Sequence, residues 1–235
     1  MTELLISVRN PSEAITALEG GADWIDVKEP DNGALGKASN ETLVAVANAL
    51  PFNTKLSAAL GEAGEFKIEN NLSSALHGYK LAKIGISNTS KSTIHQYISN
   101  VLMSPGIKQE RLAIAAYADF SRASSINPLD LPYICKNEDI SYLLIDTYLK
   151  DGSGLLDWIS LTLLLELKKE CAANNINLAL AGSLKPKDIP HLLVLGPNLI
   201  GLRGSVCVNG ARKNRVEKQL VEQWAKSIKQ NLFCY

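Results

Sequence analysis

The chain is 235 residues long, carries 24 basic against 24 acidic side chains, and is 46% hydrophobic. That is enough apolar material for a sizeable core and excludes a disordered chain, while the balanced charge argues against a nucleic-acid protein, which carries a basic surplus. No run of 18 apolar residues is present, the N-terminus lacks the basic start and long apolar stretch of a secretion signal, and Cys135, Cys171, Cys207 and Cys234 form no CxxC pair; the expectation is a cytoplasmic protein with reduced thiols and no membrane contact.

Eight short apolar runs alternate with longer amphipathic stretches, the pattern of buried parallel strands joined by helices. In chain order the predicted strands are residues 4–8, 24–28, 55–60, 81–86, 112–118, 142–149, 178–181 and 199–203. Asn10 and Pro11 open the first helix as a cap and a first-turn proline, and Gly20-Gly21 close it. Ser39 opens a second helix ahead of Leu43 and Val46, and a short third lies near residues 71–78. Residues 156–171 read as one helix with Lys168 and Lys169 in its last turn, where cations are favoured, and residues 216–232 as a charged amphipathic helix. Eight strand–helix units predict a single (β/α)8 TIM barrel over residues 1–235. A doubly wound open sheet is the competing architecture, but the GxGxxG that often follows its first strand is missing.

Catalysis in such barrels sits at the C-terminal ends of the strands, so the polar residues there matter most. In Trp24-Ile25-Asp26-Val27-Lys28, period-two alternation puts Asp26 and Lys28 on one face and Ile25 and Val27 on the other. Lys83 interrupts the apolar fourth strand, Tyr117 and Asp119 share a side at the end of the fifth, and Asp146, Tyr148 and Lys150 share a side of the sixth. A lone strand-end lysine is ordinarily a solvated rim residue. Three on separate strands, with acids nearby, predict instead a cluster in which burial and neighbouring ammonium groups leave one amine neutral and able to attack an aldehyde. Asp26 or Asp146 would then move protons.

Strands seven and eight run into Gly182-Ser183 and Arg203-Gly204, small residues where barrels commonly hold a phosphate, and Arg203 adds a candidate charged clamp. The same glycines also suit plain tight turns. His77, His95 and His191 lie far apart with no metal-binding spacing, and there is no Walker loop or GxSxG elbow, so neither a metal nor a cofactor is expected.

The chain resembles the (5-formylfuran-3-yl)methyl phosphate synthase family of methanofuran biosynthesis. The resemblance rests on Gly20-Gly21-Ala22-Asp23, Ile25-Asp26-Val27-Lys28-Glu29-Pro30, Gly33-Ala34-Leu35-Gly36, Lys83-Ile84-Gly85 and Ala115-Ala116-Tyr117-Ala118-Asp119. It continues in Leu144-Ile145-Asp146-Thr147, Lys150-Asp151-Gly152, Ala179-Leu180-Ala181-Gly182-Ser183 and Gly201-Leu202-Arg203-Gly204, in order over essentially the whole chain. It implies a lyase (a carbon–oxygen lyase acting on phosphates) that condenses two molecules of glyceraldehyde 3-phosphate with loss of phosphate and water. It also places the Schiff base on Lys28, gives further catalytic roles to Lys83, Asp146 and Lys150, and implies a setting in methanogens and some methylotrophic bacteria. The segment Cys207-Val208-Asn209-Gly210-Ala211-Arg212 departs from the family's paired glycines beside an acidic residue, so the resemblance assigns no phosphate contact to Arg212. The partner expected is a small phosphorylated aldehyde, and a homo-oligomer is compatible with it. Two alternatives stand beside this reading: another class I phospho-aldolase or isomerase on the same barrel, and a barrel that binds phosphorylated metabolites without turning them over.

Overall fold

In the computed structural model, which describes residues 1–229, eight parallel strands pair in chain order and the last returns to the first, closing the expected barrel. The strands are β1 (Glu3–Val8), β2 (Trp24–Val27), β3 (Lys55–Glu62), β4 (Leu81–Gly85), β5 (Leu112–Tyr117), β6 (Tyr142–Asp146), β7 (Asn177–Leu180) and β8 (Leu199–Leu202). Around them lie α1 (Pro11–Glu19), α2 (Asn40–Ala49), α3 (Leu72–Ala75), α4 (Ile94–Leu102), α5 (Leu131–Asn137), α6 (Leu155–Trp158), α7 (Leu161–Ala173), α8 (Ile189–Val194) and α9 (Lys218–Lys229). None of the described helices is long and apolar enough to cross a membrane.

Alternation along the strands creates two separate apolar cores. Ile6, Val8, Ile25, Val27, Ile84, Ile114 and Ile145 face outward and merge with the helices into one large cluster. Their neighbours Leu5, Trp24, Leu81, Ala115, Leu144 and Leu199 face inward and form a second cluster inside the barrel. Because β2 is flanked in register by β1 and β3, Asp26 stands level with Ser7 on one side and Ser57 on the other. The inward face thus changes from apolar to polar along these strands, and it is this change that positions the site.

Local capping follows the residue types. Asn10 caps α1 by accepting from the Glu13 amide at 3.0 Å, with Pro11 in the first turn, and Ser39 caps α2 by accepting from the Thr42 amide at 3.2 Å. Cys135, Cys171 and Cys207 are buried and unbridged, and burial pushes their thiols up to about 12, 12 and 11, which makes them packing groups and poor nucleophiles. His95 pairs with Glu138 on the surface.

Several expected boundaries shift. The sixth strand ends at Asp146, not at residue 149, because the chain turns there: Asp119 accepts from the amides of Tyr148 at 2.6 Å and Leu149 at 3.2 Å. The helix expected over residues 156–171 is two helices. Ile159 is extended, and Ser160 caps α7 by accepting from the Leu163 amide at 3.2 Å, so a cap interrupts an otherwise continuous apolar pattern. Helix α7 then runs on to Ala173, and Lys168 is a side-chain donor to Asn198 at 3.0 Å instead of a last-turn cation. Val216 pairs with Cys207 in an antiparallel bridge, which delays the start of α9 to Lys218. Residues 230–232 of that expected helix, and Cys234, lie outside the described residues.

Candidate active site

Asp26 is the most enclosed charge of the site, fully buried on β2. Ser7 and Ser57 each donate a hydroxyl to it at 2.8 Å, and the Lys83 ammonium from β4 reaches it at 2.6 Å. Burial alone would raise its carboxyl, but Lys83, then Lys28, and the donated bonds outweigh that and hold it below the ordinary carboxylate range. A buried ion pair needs this kind of satisfaction to be tolerated.

Lys28 follows β2 directly and is 8% exposed, yet no carboxylate among the described residues lies within salt-bridge distance of it. Among those residues its ammonium has one hydrogen-bond acceptor, the Ala34 carbonyl at 3.4 Å. That carbonyl is held in place by a tight loop. Gly36 approaches so closely that a Cβ would sit 2.1 Å from the Glu29 carbonyl, and Glu29 donates its amide to the Gly36 carbonyl at 2.8 Å. Desolvation lowers Lys28 from 10.5 to about 7, against the pull of Asp146 and Asp26 and with help from Lys83 and Lys150. The two acids have limited effect because each is already paired, so Lys28 lies between two nearly neutral ion pairs and mainly feels burial.

The second pair is Asp146 with Lys150, at 2.6 Å. Although β6 stops at Asp146, the following turn brings Lys150 back over it, where it also donates to the Thr147 hydroxyl at 3.0 Å. The Thr147 amide donates to the same Asp146 oxygen, Oδ1, at 2.7 Å. Burial opposes ionisation, but Lys150 and Lys28 prevail and hold the Asp146 carboxyl at about 2. Its Oδ2 has no hydrogen-bond partner among the described residues, so Asp146 has an acceptor in reserve that Asp26 lacks.

A cavity of about 740 Å³ opens in front of these groups, walled by Lys28, Lys83, Asp146 and Lys150 and by the loops after β7 and β8. In those loops Gly182, Ser183, Gly204 and Ser205 line the cavity, and their amides donate to no acceptor among the described residues. Gly182 has φ +101° and a Cβ there would lie 3.1 Å from the Thr147 amide nitrogen, so the close turn requires glycine.

Arg203 does not serve as the free clamp that its position suggested. All five of its N–H groups are taken: Nε by the Arg212 carbonyl at 2.8 Å, the others by the Ser7 carbonyl at 3.0 Å, the Asn214 carbonyl at 2.9 Å and both oxygens of buried Glu13. It shapes the loop that carries Arg212. Arg212, which sequence reasoning set aside, lines the cavity and among the described residues donates a single bond, to the Gly33 carbonyl at 2.9 Å. No spacing rule would have found it, since nine residues of loop separate it from β8. Ser7 and Ser57 were also missed as site residues; their signal was a hydroxyl at an inward position beside Asp26.

One further acid stands at the end of β3, outside the residues that line the cavity. A bulge after Ala59 re-aims Glu62, which accepts from the Tyr117 hydroxyl and from the Ser87 amide at 2.8 Å. Gly85 makes room, since a Cβ would lie 2.5 Å from both the Glu62 oxygens and the Tyr117 hydroxyl. Burial and then Glu62 push the Tyr117 phenol well above its ordinary value, which keeps it a hydrogen-bond donor. Asp119, by contrast, is consumed by backbone amides.

A closed parallel barrel whose strand ends converge paired charges and an unpaired amine on one cavity is the layout of the (β/α)8-barrel enzymes. Solved structures agree on the fold: phosphoribosyl anthranilate isomerase from Thermotoga maritima matches with TM-score 0.64 at 15% identity, over 98% of this chain and all of that one. The 3-hexulose-6-phosphate synthase from Salmonella typhimurium matches with TM-score 0.62 at 13% identity, over 98% and 100%. The chain belongs to the 4-HFC-P synthase family, whose model matches residues 4–225. Among its relatives are (5-formylfuran-3-yl)methyl phosphate synthases of Methanococcus maripaludis strain C5, 33% identical over 97% of this chain and 99% of that protein, and of Methanocaldococcus jannaschii, 32% identical over 94% and 97%.

Proposed function

We propose that the protein condenses two molecules of glyceraldehyde 3-phosphate into (5-formylfuran-3-yl)methyl phosphate through a Schiff base on Lys28, releasing one phosphate and two waters with no change of oxidation level. The observation that carries this reading is a buried amine, held near neutral pH at about 7, facing a cavity between two satisfied ion pairs. Family membership supports the product. The cell setting that follows is methanofuran biosynthesis in the cytoplasm.

In this scheme the Lys28 amine adds to the aldehyde carbon of one triose and water leaves, giving an iminium. Loss of the adjacent proton, accepted by Asp146 through its unpartnered oxygen, gives an enamine that expels phosphate from the neighbouring carbon. The terminal CH2 carbon left by that loss then bonds to C2 of the second triose, which gives up its proton and keeps its phosphate-bearing carbon as a branch. Oxygen closes the ring between C2 of the first triose and the aldehyde carbon of the second, and loss of two waters yields the furan. Lys150, paired with Asp146 on the cavity wall, protonates a departing oxygen. Asp26 and Lys83 keep the floor of the site electrically neutral, so the new iminium charge is met chiefly by Asp146. Phosphate is held by the free amides of Gly182, Ser183, Gly204 and Ser205, with Arg212 in the clamping role.

The test is to incubate the protein with glyceraldehyde 3-phosphate and follow furan absorbance together with inorganic phosphate. The expected ratio is one phosphate for every two trioses consumed, and borohydride should fix a triose on Lys28, located by peptide mass spectrometry. Normal turnover by Lys28→Ala would overturn the mechanism. An adduct without furan would favour another phospho-aldolase, and neither adduct nor product would leave a phosphate-binding barrel.

A further inference from the structure

Inward positions of a (β/α)8 barrel are usually dominated by bulky branched side chains that pack it solid. Here Ala113 of β5, Ala179 of β7, Ala181 just beyond it and Gly201 of β8 lie on the cavity wall instead. The cavity therefore continues past Lys28 and Asp146 to Tyr142 and Leu199, the first residues of β6 and β8. From Asp146 back to Tyr142 is about 13 Å of strand. The deep wall is otherwise Leu5, Leu81 and Leu144. Ser7 and Lys83 also border it, but both turn their polar ends to Asp26.

Such a shaft discriminates by polarity. Between Asp146 and the Tyr142 hydroxyl at the far end, a hydroxyl carried into it gives up its water for no side-chain partner, which weakens binding roughly tenfold or more per group. A flat skeleton without hydroxyls loses nothing and gains the burial of its apolar surface. We propose that the shaft beneath Lys28 is a binding site for small unphosphorylated apolar aldehydes, with the carbonyl carbon bonded to the Lys28 amine and the ring lying against Ala113, Ala179 and Gly201. This rests on Lys28 as the amine of the reading above, but not on the phosphate loops. In the condensation the shaft stabilises dehydrated intermediates over the trioses they come from, a preference that acts on the later steps and not on substrate capture.

The probe is 2-furaldehyde against glyceraldehyde, each trapped with borohydride. The amine adds to the carbonyl carbon, the oxygen leaves as water, and hydride reduces the iminium to a secondary amine on Lys28. Rates are normalised to those of each aldehyde with a free lysine derivative. The expected result is Lys28 labelling by 2-furaldehyde at least tenfold faster than by glyceraldehyde, with that ratio falling at least tenfold in Ala179→Leu, which fills the shaft. Should Ala179→Leu fail to fold, Ala113→Val is read by the same ratio. Equal normalised rates, or a ratio unmoved by a folded filling variant, would overturn the proposal. Labelling by 2-furaldehyde without furan formation from triose phosphate would leave the shaft standing and refute the condensation; labelling by glyceraldehyde 3-phosphate alone would do the reverse.

Discussion

Lys28 and Lys83 project into the same barrel from neighbouring inward regions and are almost equally buried, at 8% and 4% exposure, yet their surroundings differ in one respect. Lys83 has a carboxylate at 2.6 Å, whereas Lys28, among the described residues, has only a carbonyl at 3.4 Å. Burial makes an amine reactive only where no acid is near enough to hold its proton. In the proposed mechanism the nucleophile is set by the pairing of its neighbours: once Asp26 is committed to Lys83, and Asp146 to Lys150, the amine left over is Lys28.

The comparison predicts opposite outcomes for the two lysines. Lys28→Met should reduce aldehyde trapping and turnover more than a thousandfold, in line with loss of a covalent nucleophile. It should also stabilise the fold. The amine's value falls from 10.5 unfolded to about 7 folded, so its penalty is fully present below about pH 7, shrinks as pH rises from there, and is gone above about 10.5. The gap corresponds to at most roughly 5 kcal/mol, and urea unfolding at pH 6 measures it; a loss of stability would break the comparison. Lys83→Met should instead destabilise by about 3–5 kcal/mol, because it leaves the Asp26 charge buried and unpaired. A neutral effect in the same unfolding experiment would mean that the two lysines are equivalent after all.

Three smaller effects test the same contrast. Cyanoborohydride trapping at Lys28 should rise about tenfold per pH unit up to about pH 7 and level off above it, following the neutral fraction of the amine; a rise continuing to pH 10 would show an ordinary lysine. Arg212→Gln should raise KM for a phosphorylated aldehyde by roughly 10- to 100-fold, the worth of a charge-assisted bond, and leave trapping of glyceraldehyde within about twofold. Equal losses for both aldehydes would remove Arg212 from phosphate recognition. Smallest of all, Ser57→Ala should cost about 1 kcal/mol of stability, since Asp26 keeps Ser7 and Lys83.

Much of this molecule is written in its periodicities. Eight apolar runs separated by capped helices determine a closed parallel barrel, and alternation within Asp26-Val27-Lys28 determines that both polar groups face its interior, because successive side chains of a strand point to opposite faces. Gly182, Ser183 and Gly204 are likewise legible as small residues at the ends of the last strands. Who pairs with whom is not legible. Asp26 meets Lys83 from a strand 57 positions away in the chain and so leaves Lys28 free, and Arg203 turns to Glu13 from the first helix while Arg212 takes its place beside the cavity. Register and periodicity are local properties of the chain, whereas charge pairing, burial and an unfilled shaft depend on distances that exist only once the barrel has closed.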